Sequence, residues 1–364
     1  MRARLALLVL GAIFCYLVRM SANFFSMLEQ RPWRFQELPG YPCNLRSMAT
    51  QAIVAAGRWM YGNSPDSTYA KLPVQCTGEA ASEKIAELLA RPAPCMISRW
   101  GAGEADAVLC WLDIHAPGSR LKKAWNVARG RSVPFWWDNS RRSHLCWNAG
   151  CFPPTDEGMN AFGARAAEDS REIDLIGSCT PGEKRLASLF SPNAVTVGLL
   201  DFAPFFRKNP WTRALEGKTV LVVYPFATSI QNQYARRALL FPDNRLLPDF
   251  TLKTYKPVVS FAGEACPFAT WIEALDHMCA EIRRIDFDIA IIGAGAYGMS
   301  LAADVKRSGR KAFHLAGVTQ LLFGIMGGRW ESYSYAKLFN EHWVRPLPEE
   351  TPKKADTIEK SAYW

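Results

Sequence analysis

The sequence predicts an α/β domain in which a mostly parallel sheet is covered by helices on both faces. Short β-like apolar runs such as "PCMISRW", "KTVLVVYPF" and "FDIAII" recur along the chain. Segments with helical spacing stand between them, and this alternation is what a parallel sheet with crossover helices requires. The chain has 364 residues and is 49% hydrophobic, enough for a well-buried core and not the composition of a disordered chain.

The amino terminus reads differently from the rest. In "MRARLALLVLGAIFCYLVRM", Arg2 and Arg4 precede an apolar run from Leu5 to Val18 that Arg19 closes. As a helix that run spans about 21 Å, short of a bilayer core of about 30 Å. It fits a signal-peptide apolar region, yet "RMSAN" offers no A-x-A-like cleavage site. Residues 1–22 are therefore expected to form an uncleaved, single-pass signal-anchor, its flanking arginines reaching the interface. That places the protein on a membrane of the secretory pathway or cell envelope; a buried amino-terminal helix is the alternative. Residues 23–77, punctuated by "RPWRFQELPGYPC", read as a stem and first helix, and residues 78–364 as the α/β domain.

Within that domain, "PCMISRW" is a strand and "EADAVLCWLDI" a helix with Ala105, Val108, Leu109 and Leu112 on one face. "EIDLIGSC" is a second strand, followed by the helix "PGEKRLASLF", where Pro181 suits a first turn. "KTVLVVYPF" leads into the helix "TSIQNQYARRALLF". In "PFATWIEALDHMCAEIRRI", Trp271, Ala274, Leu275, Met278, Ile282 and Ile285 recur at core spacing. The strand "FDIAII", a glycine turn, its helix and the strand "KAFHLA" complete the alternation. Ligands of such a sheet belong at the carboxyl ends of its strands.

A formal charge of +9 favours anionic partners. It is concentrated between Arg120 and Arg142, where seven basic residues stand with Trp125, Phe135, Trp136 and Trp137 against one acid, Asp138. This stretch reads either as a flap for a phosphorylated or lipid-linked acceptor or a membrane surface, or as a solvated basic loop. No nucleic-acid-binding module surrounds it, so nucleic acid is not an expected partner. The ten cysteines contain no C-x-x-C and show no zinc module.

"IIGAGAYGMSLAADV" carries glycines at Gly293, Gly295 and Gly298 in a G-x-G-x-x-G turn between strand and helix. Dinucleotide binding also needs an acid about 20 residues on for the ribose hydroxyls. The next strand instead ends in "FHLAGV", with His314, Ala316 and Gly317 there, and too little chain follows for a second mononucleotide half. The turn's backbone N–H groups and helix dipole still suit a phosphate or sugar nucleotide; the alternative is a tight turn that needs glycine only for geometry.

"ISRWGAGEADAV", "WNAGCFPPTDE", "YPFATSIQNQY", "LPDFTLKTYKPVVSFAGE" and the long block "GAYG…HLAGVTQLLFGI" with the final "AYW" together resemble a family of polysaccharide-locus proteins. That family has a GT-D-fold-like domain related to the GT-D glycosyltransferases, and the resemblance covers roughly Cys95 to Trp364. It implies a Rossmann-like, GT-D-like fold and transfer of a sugar from a nucleotide-sugar donor to a glycan or lipid-linked acceptor. GT-D enzymes carry an R-x-G-D-G-E-like turn whose two acids hold a divalent metal, Mn²⁺ or Mg²⁺. Here the turn is "RWGAGE": Arg99 and Glu104 match, but Ala102 replaces the first acid. Asp106 substitutes only if Glu104 is still in the loop, because positions i and i+2 of a helix point apart.

The candidate catalytic residues are accordingly Glu104, Arg99 and Asp106, with Glu104 and Asp106 as the candidate metal pair. Gly293, Gly295, Tyr297, Gly298, Thr319, Gln320 and Arg329 are candidates for binding the nucleotide sugar. Thr319 reads equally as a helix cap and His314 as a core histidine. Two other functions remain open: a catalytically inactive scaffold of the same fold that binds sugar nucleotide or glycan, and a dinucleotide-binding oxidoreductase.

Overall fold

A computed structural model describes residues 60–61, 64, 67–332, 334–355 and 362–364. The expected signal-anchor and most of the expected stem lie outside these residues. Among the described residues no helix is long and apolar enough to cross a membrane.

Seven strands form one sheet: β1 (Cys95–Ser98), β2 (Leu175–Ser178), β3 (Val195–Gly198), β4 (Thr219–Val223), β5 (Thr251–Tyr255), β6 (Ile289–Ile292) and β7 (Lys311–His314). Their order is β3-β2-β1-β7-β6-β4-β5, and every neighbouring pair is parallel. Successive side chains of a strand point to opposite faces, so a sheet buried on both sides needs apolar residues throughout. Along β4, Val220 and Val222 enter one core while Leu221 and Val223 enter the other.

One face is covered by α2 (Ala102–His115), α5 (Asp156–Asp169), α8 (Trp271–Arg283) and α9 (Gly298–Arg307), which contribute Val108, Phe162, Met278 and Leu301 to its core. The other is covered by α1 (Gly78–Ala90) and α7 (Ala227–Tyr234), through Ile85, Leu89 and Ile230. The starts of α5 and α8 follow local chemistry: Thr155 and Thr270 accept hydrogen bonds from the Gly158 and Glu273 N–H groups, which no helical carbonyl can reach. Residues 67–77, assigned to the stem from sequence, are packed on the domain. Tyr69 and Ala70 are buried, and the Gln75 N–H donates to the Thr196 carbonyl at 2.9 Å.

The α/β class and the parallel sheet are thus as the sequence predicts, with local differences. Strand β3 was not anticipated. Pro181 lies outside its helix, α6 (Glu183–Phe190), because Gly182 in a left-handed conformation (φ 93°) precedes the first turn. The segment after Tyr234 leaves the α-helix, its backbone bonds tightening to the i+3 pattern from Arg236. The basic stretch is ordered as α3 (Arg120–Ala128), a loop, and α4 (Asn139–Arg142), which runs into a π-helical turn over Ser143–Asn148.

Candidate functional site

From β1 the chain proceeds outward to β2 and β3, whereas β7, its other neighbour, belongs to the half containing β6, β4 and β5. The helices that follow β1 and β6, α2 and α9, lie on the same face of the sheet, and a crevice opens between them above the carboxyl ends of β1 and β7, the edge where parallel sheets receive ligands. A shallow cleft of about 270 Å³, its open mouth included, lies there, lined among others by Arg99, Trp100, Glu104, Gly295, Met299 and His314. The β1–α2 turn and the β6–α9 glycine turn, some 190 residues apart in sequence, are thereby brought together. The enclosed part has room for about one water molecule, so a larger ligand must lie across its mouth.

Arg99 leaves β1 just after its last residue. Its Nε is buried without a partner, and its Nη2 meets only the Cys179 thiol, at 3.8 Å. Among the described residues no carboxylate stands within ion-pair distance of this guanidinium. The guanidinium is half-buried, and its buried Nε leaves one donor free for an anionic group. Glu104 lies in the first turn of α2, half-buried, its carboxylate folded against the Gly101 backbone. No hydrogen bond reaches that carboxylate from the described residues, while its charge acts on Arg99. The indole N–H of Trp100 is a further buried donor without a partner.

His314, at the end of β7, forms the floor. Its Nδ1 is 3.1 Å from the Ser98 hydroxyl, and its ring lies against Gly298, where any side chain would collide with the imidazole. Burial, and then the Arg99 charge, pull its pKa down to about 3, against an ordinary 6.5. Between these values the unfolded chain binds a proton that the folded chain refuses. Its contribution to stability is therefore complete above pH 6.5 and lost as the pH falls towards 3, at up to about 1.4 kcal/mol per pH unit. His314→Gln is expected to flatten that slope, which urea denaturation at about pH 7 and about pH 5 reads directly.

The structure corrects several sequence expectations. Asp106 is on the same helix as Glu104 and turns away from it, bonding the Arg141 Nε at 2.6 Å. Arg141 also reaches Asp138 at 2.6 Å, closing a triad in which Arg141 and Asp138 are buried and Asp106 is partly exposed. Asp106 is thus a structural partner of Arg141, and the two carboxylates do not converge. Among the described residues no three His, Cys, Asp or Glu side chains gather as metal ligands, so the acids present do not fit the metal that the resemblance implies. Tyr297 points into the core, stacked on Trp271 at 5.3 Å with its hydroxyl 3.0 Å from that of Ser260. Gln320 is fully buried and satisfied by the Tyr224 hydroxyl and by the carbonyls of Ile325 and Tyr363. Neither is available to a ligand.

Thr319 does not cap its helix, α10 (Val318–Leu322), whose capping position is Gly317; its hydroxyl is buried without a partner. Arg329 lies beyond the β7 end, donating to the Tyr363 hydroxyl at 3.0 Å, with the Tyr363 ring 4.8 Å from its guanidinium carbon. The glycine turn is less open than its sequence implies. Gly295 adopts φ 53°, and the Ala149 carbonyl sits over it, accepting the Ala296 N–H at 2.8 Å. The N–H groups of Gly293, Tyr297 and Gly298 are likewise committed, to Val223, Ala294 and Gly295. The turn that a pyrophosphate would occupy in a dinucleotide fold is occupied by protein backbone instead.

Ala316, just past β7, is the one non-glycine described residue in the left-handed region (φ 56°), and its N–H bonds the Ile292 carbonyl at 3.0 Å. Such conformations concentrate at ligand sites and cost about 1–3 kcal/mol. No family model, curated protein or solved structure matches the chain. The site is therefore read from its own residues. Sequence reasoning passed over the Trp100 indole and the Cys179 thiol; the signal for both was their place at the carboxyl end of a central strand.

Proposed function

We propose that the protein is a glycosyltransferase that moves a sugar from a nucleoside-diphosphate sugar to a hydroxyl of a glycan or lipid-linked acceptor. The observation that carries this reading is the half-buried Arg99 guanidinium, its Nε buried without a partner and no carboxylate in ion-pair reach among the described residues, beside a Glu104 carboxylate that none of them hydrogen-bonds, at the β1/β7 crevice. Glu104 accepts the proton of the acceptor hydroxyl, and the freed oxygen forms the new bond to the anomeric carbon. The bond from that carbon to the diphosphate breaks, and Arg99 takes up the charge on the departing oxygens. Asp106 is committed to Arg141, so fixed cations are left to hold the diphosphate. The donor lies across the cleft mouth, since the glycine turn has given most of its N–H groups to the protein.

A second reading has its own support. Ala102 in place of an acid, with Asp106 turned away, is also what a sugar-nucleotide-binding scaffold without transfer activity would carry. Calorimetric titration of the full chain with a panel of nucleotide sugars and with NAD(P) tests the proposal. One nucleotide sugar is expected to bind, and Arg99→Met to weaken it about 10- to 100-fold, the worth of a charge-assisted hydrogen bond. Binding of NAD(P) instead, or of no nucleotide, overturns the site; binding without turnover on any acceptor supports the scaffold.

A further inference from the structure

We propose that α3 is a membrane-docking helix whose partner is the surface of an anionic lipid bilayer. Of its nine residues only Val127 is buried. Leu121 and Trp125 are 82% and 60% exposed. They stand four residues apart and so share one side of the helix. Arg120 and Lys122 flank Leu121 in sequence, about 100° round the helix to either side, where their chains can carry charge up to headgroups while the stripe enters the acyl boundary.

Charge identifies the occupant. From Ile114 to Trp137 the chain holds five Lys and Arg and no Asp or Glu. The first turn of α3 carries Arg120, Lys122 and Lys123 and no acid, the reverse of what a helix dipole favours. That arrangement weakens an isolated helix but strengthens its attraction for phosphate headgroups. The apolar rim continues beside it: the Lys123 ammonium is 5.7 Å from the Phe135 ring, which meets Trp136 edge-on at 5.0 Å, and both aromatics are only half-buried. Lys123 also donates to the Ile114 carbonyl at 2.8 Å, which with Val127 fastens the helix to the domain. A basic helix with an exposed Leu and Trp stripe lies in the plane of a bilayer surface. A nucleic acid would satisfy the cations but leave Leu121 in water, so lipid accounts for both halves of the surface.

The test is peptide-resolved hydrogen exchange of the full chain with vesicles of phosphatidylcholine alone or mixed with phosphatidylglycerol. Peptides covering α3 are expected to exchange at least about tenfold more slowly with the anionic vesicles only, and the protection to fade at high salt. Arg120→Gln with Lys122→Gln should weaken partitioning about 25-fold, roughly fivefold per cation, and Leu121→Gln with Trp125→Gln should abolish the protection. All four side chains are exposed, and unchanged exchange in β6 confirms that each variant is folded. The proposal is overturned if α3 exchange is unaffected by anionic vesicles or equally slowed by neutral ones. Slowing by protein concentration or by RNA without lipid overturns it too, assigning the face to a second copy or to nucleic acid.

Discussion

Glu104→Gln is expected to slow sugar transfer about 10²- to 10⁴-fold while leaving the affinity for the nucleotide sugar within a few-fold of the parent. The amide keeps the shape and polarity of the carboxylate but cannot take the acceptor proton. A general base is distinguishable here from a residue that merely complements its helix. The N-terminal position of Glu104 in α2 is worth only about 0.3–1 kcal/mol to that helix, so the variant should fold normally. Single-turnover rates measured beside calorimetric affinities separate the cases. A rate unchanged at equal affinity assigns Glu104 to the helix, and the transfer chemistry must then be sought elsewhere in the cleft.

Arg141→Ala is expected to cost about 3–5 kcal/mol of stability. The Arg141 side chain is 6% exposed and bridges Asp106, 25% exposed, and Asp138, 2% exposed. Removing it strands the Asp138 carboxylate in the interior and takes the partner from the Asp106 carboxylate at its edge. Asp138 also caps α4 by accepting the Arg141 N–H at 3.1 Å, a bond that survives the substitution. Urea denaturation reads the loss as a lower midpoint at unchanged slope. A change below about 1 kcal/mol would mean that Asp138 and Asp106 find water without Arg141.

Most of the sheet was legible because burial on both faces leaves little choice of residue: "TVLVV" and "IAII" suit no other position in such a domain. The site was legible as two turns, since the carboxyl ends of parallel strands are where ligands are met. What the sequence does not reveal is direction. Tyr297 stands in the glycine turn, yet its ring is turned inward by Trp271, a residue of another helix. Asp106 reads as a neighbour of Glu104, but its partner Arg141 comes from 35 positions away. The Ala149 carbonyl that closes the glycine turn comes from a segment with no periodicity to mark it. Side-chain identity fixes which chemistry is possible, and long-range packing decides which of it faces the cleft. The sequence leaves the stretch holding α3 open between a flap for an acceptor or membrane surface and a solvated basic loop, and does not mark it as a helix, because with a single buried residue it has almost no apolar periodicity.

The order of the sheet also governs when the crevice can exist. Ser98 and His314, which face each other across it, are 216 residues apart in sequence. While a ribosome is still making the chain, β1, β2 and β3 can pair early, but the inner edge of β1 stays open until the last strand arrives to fill it. An unfilled central edge is sticky and closes slowly, because so long an intervening loop must first be gathered. The inner edge of β1 thus stays uncovered until β7 has been made, and the crevice that holds the candidate site cannot form before then.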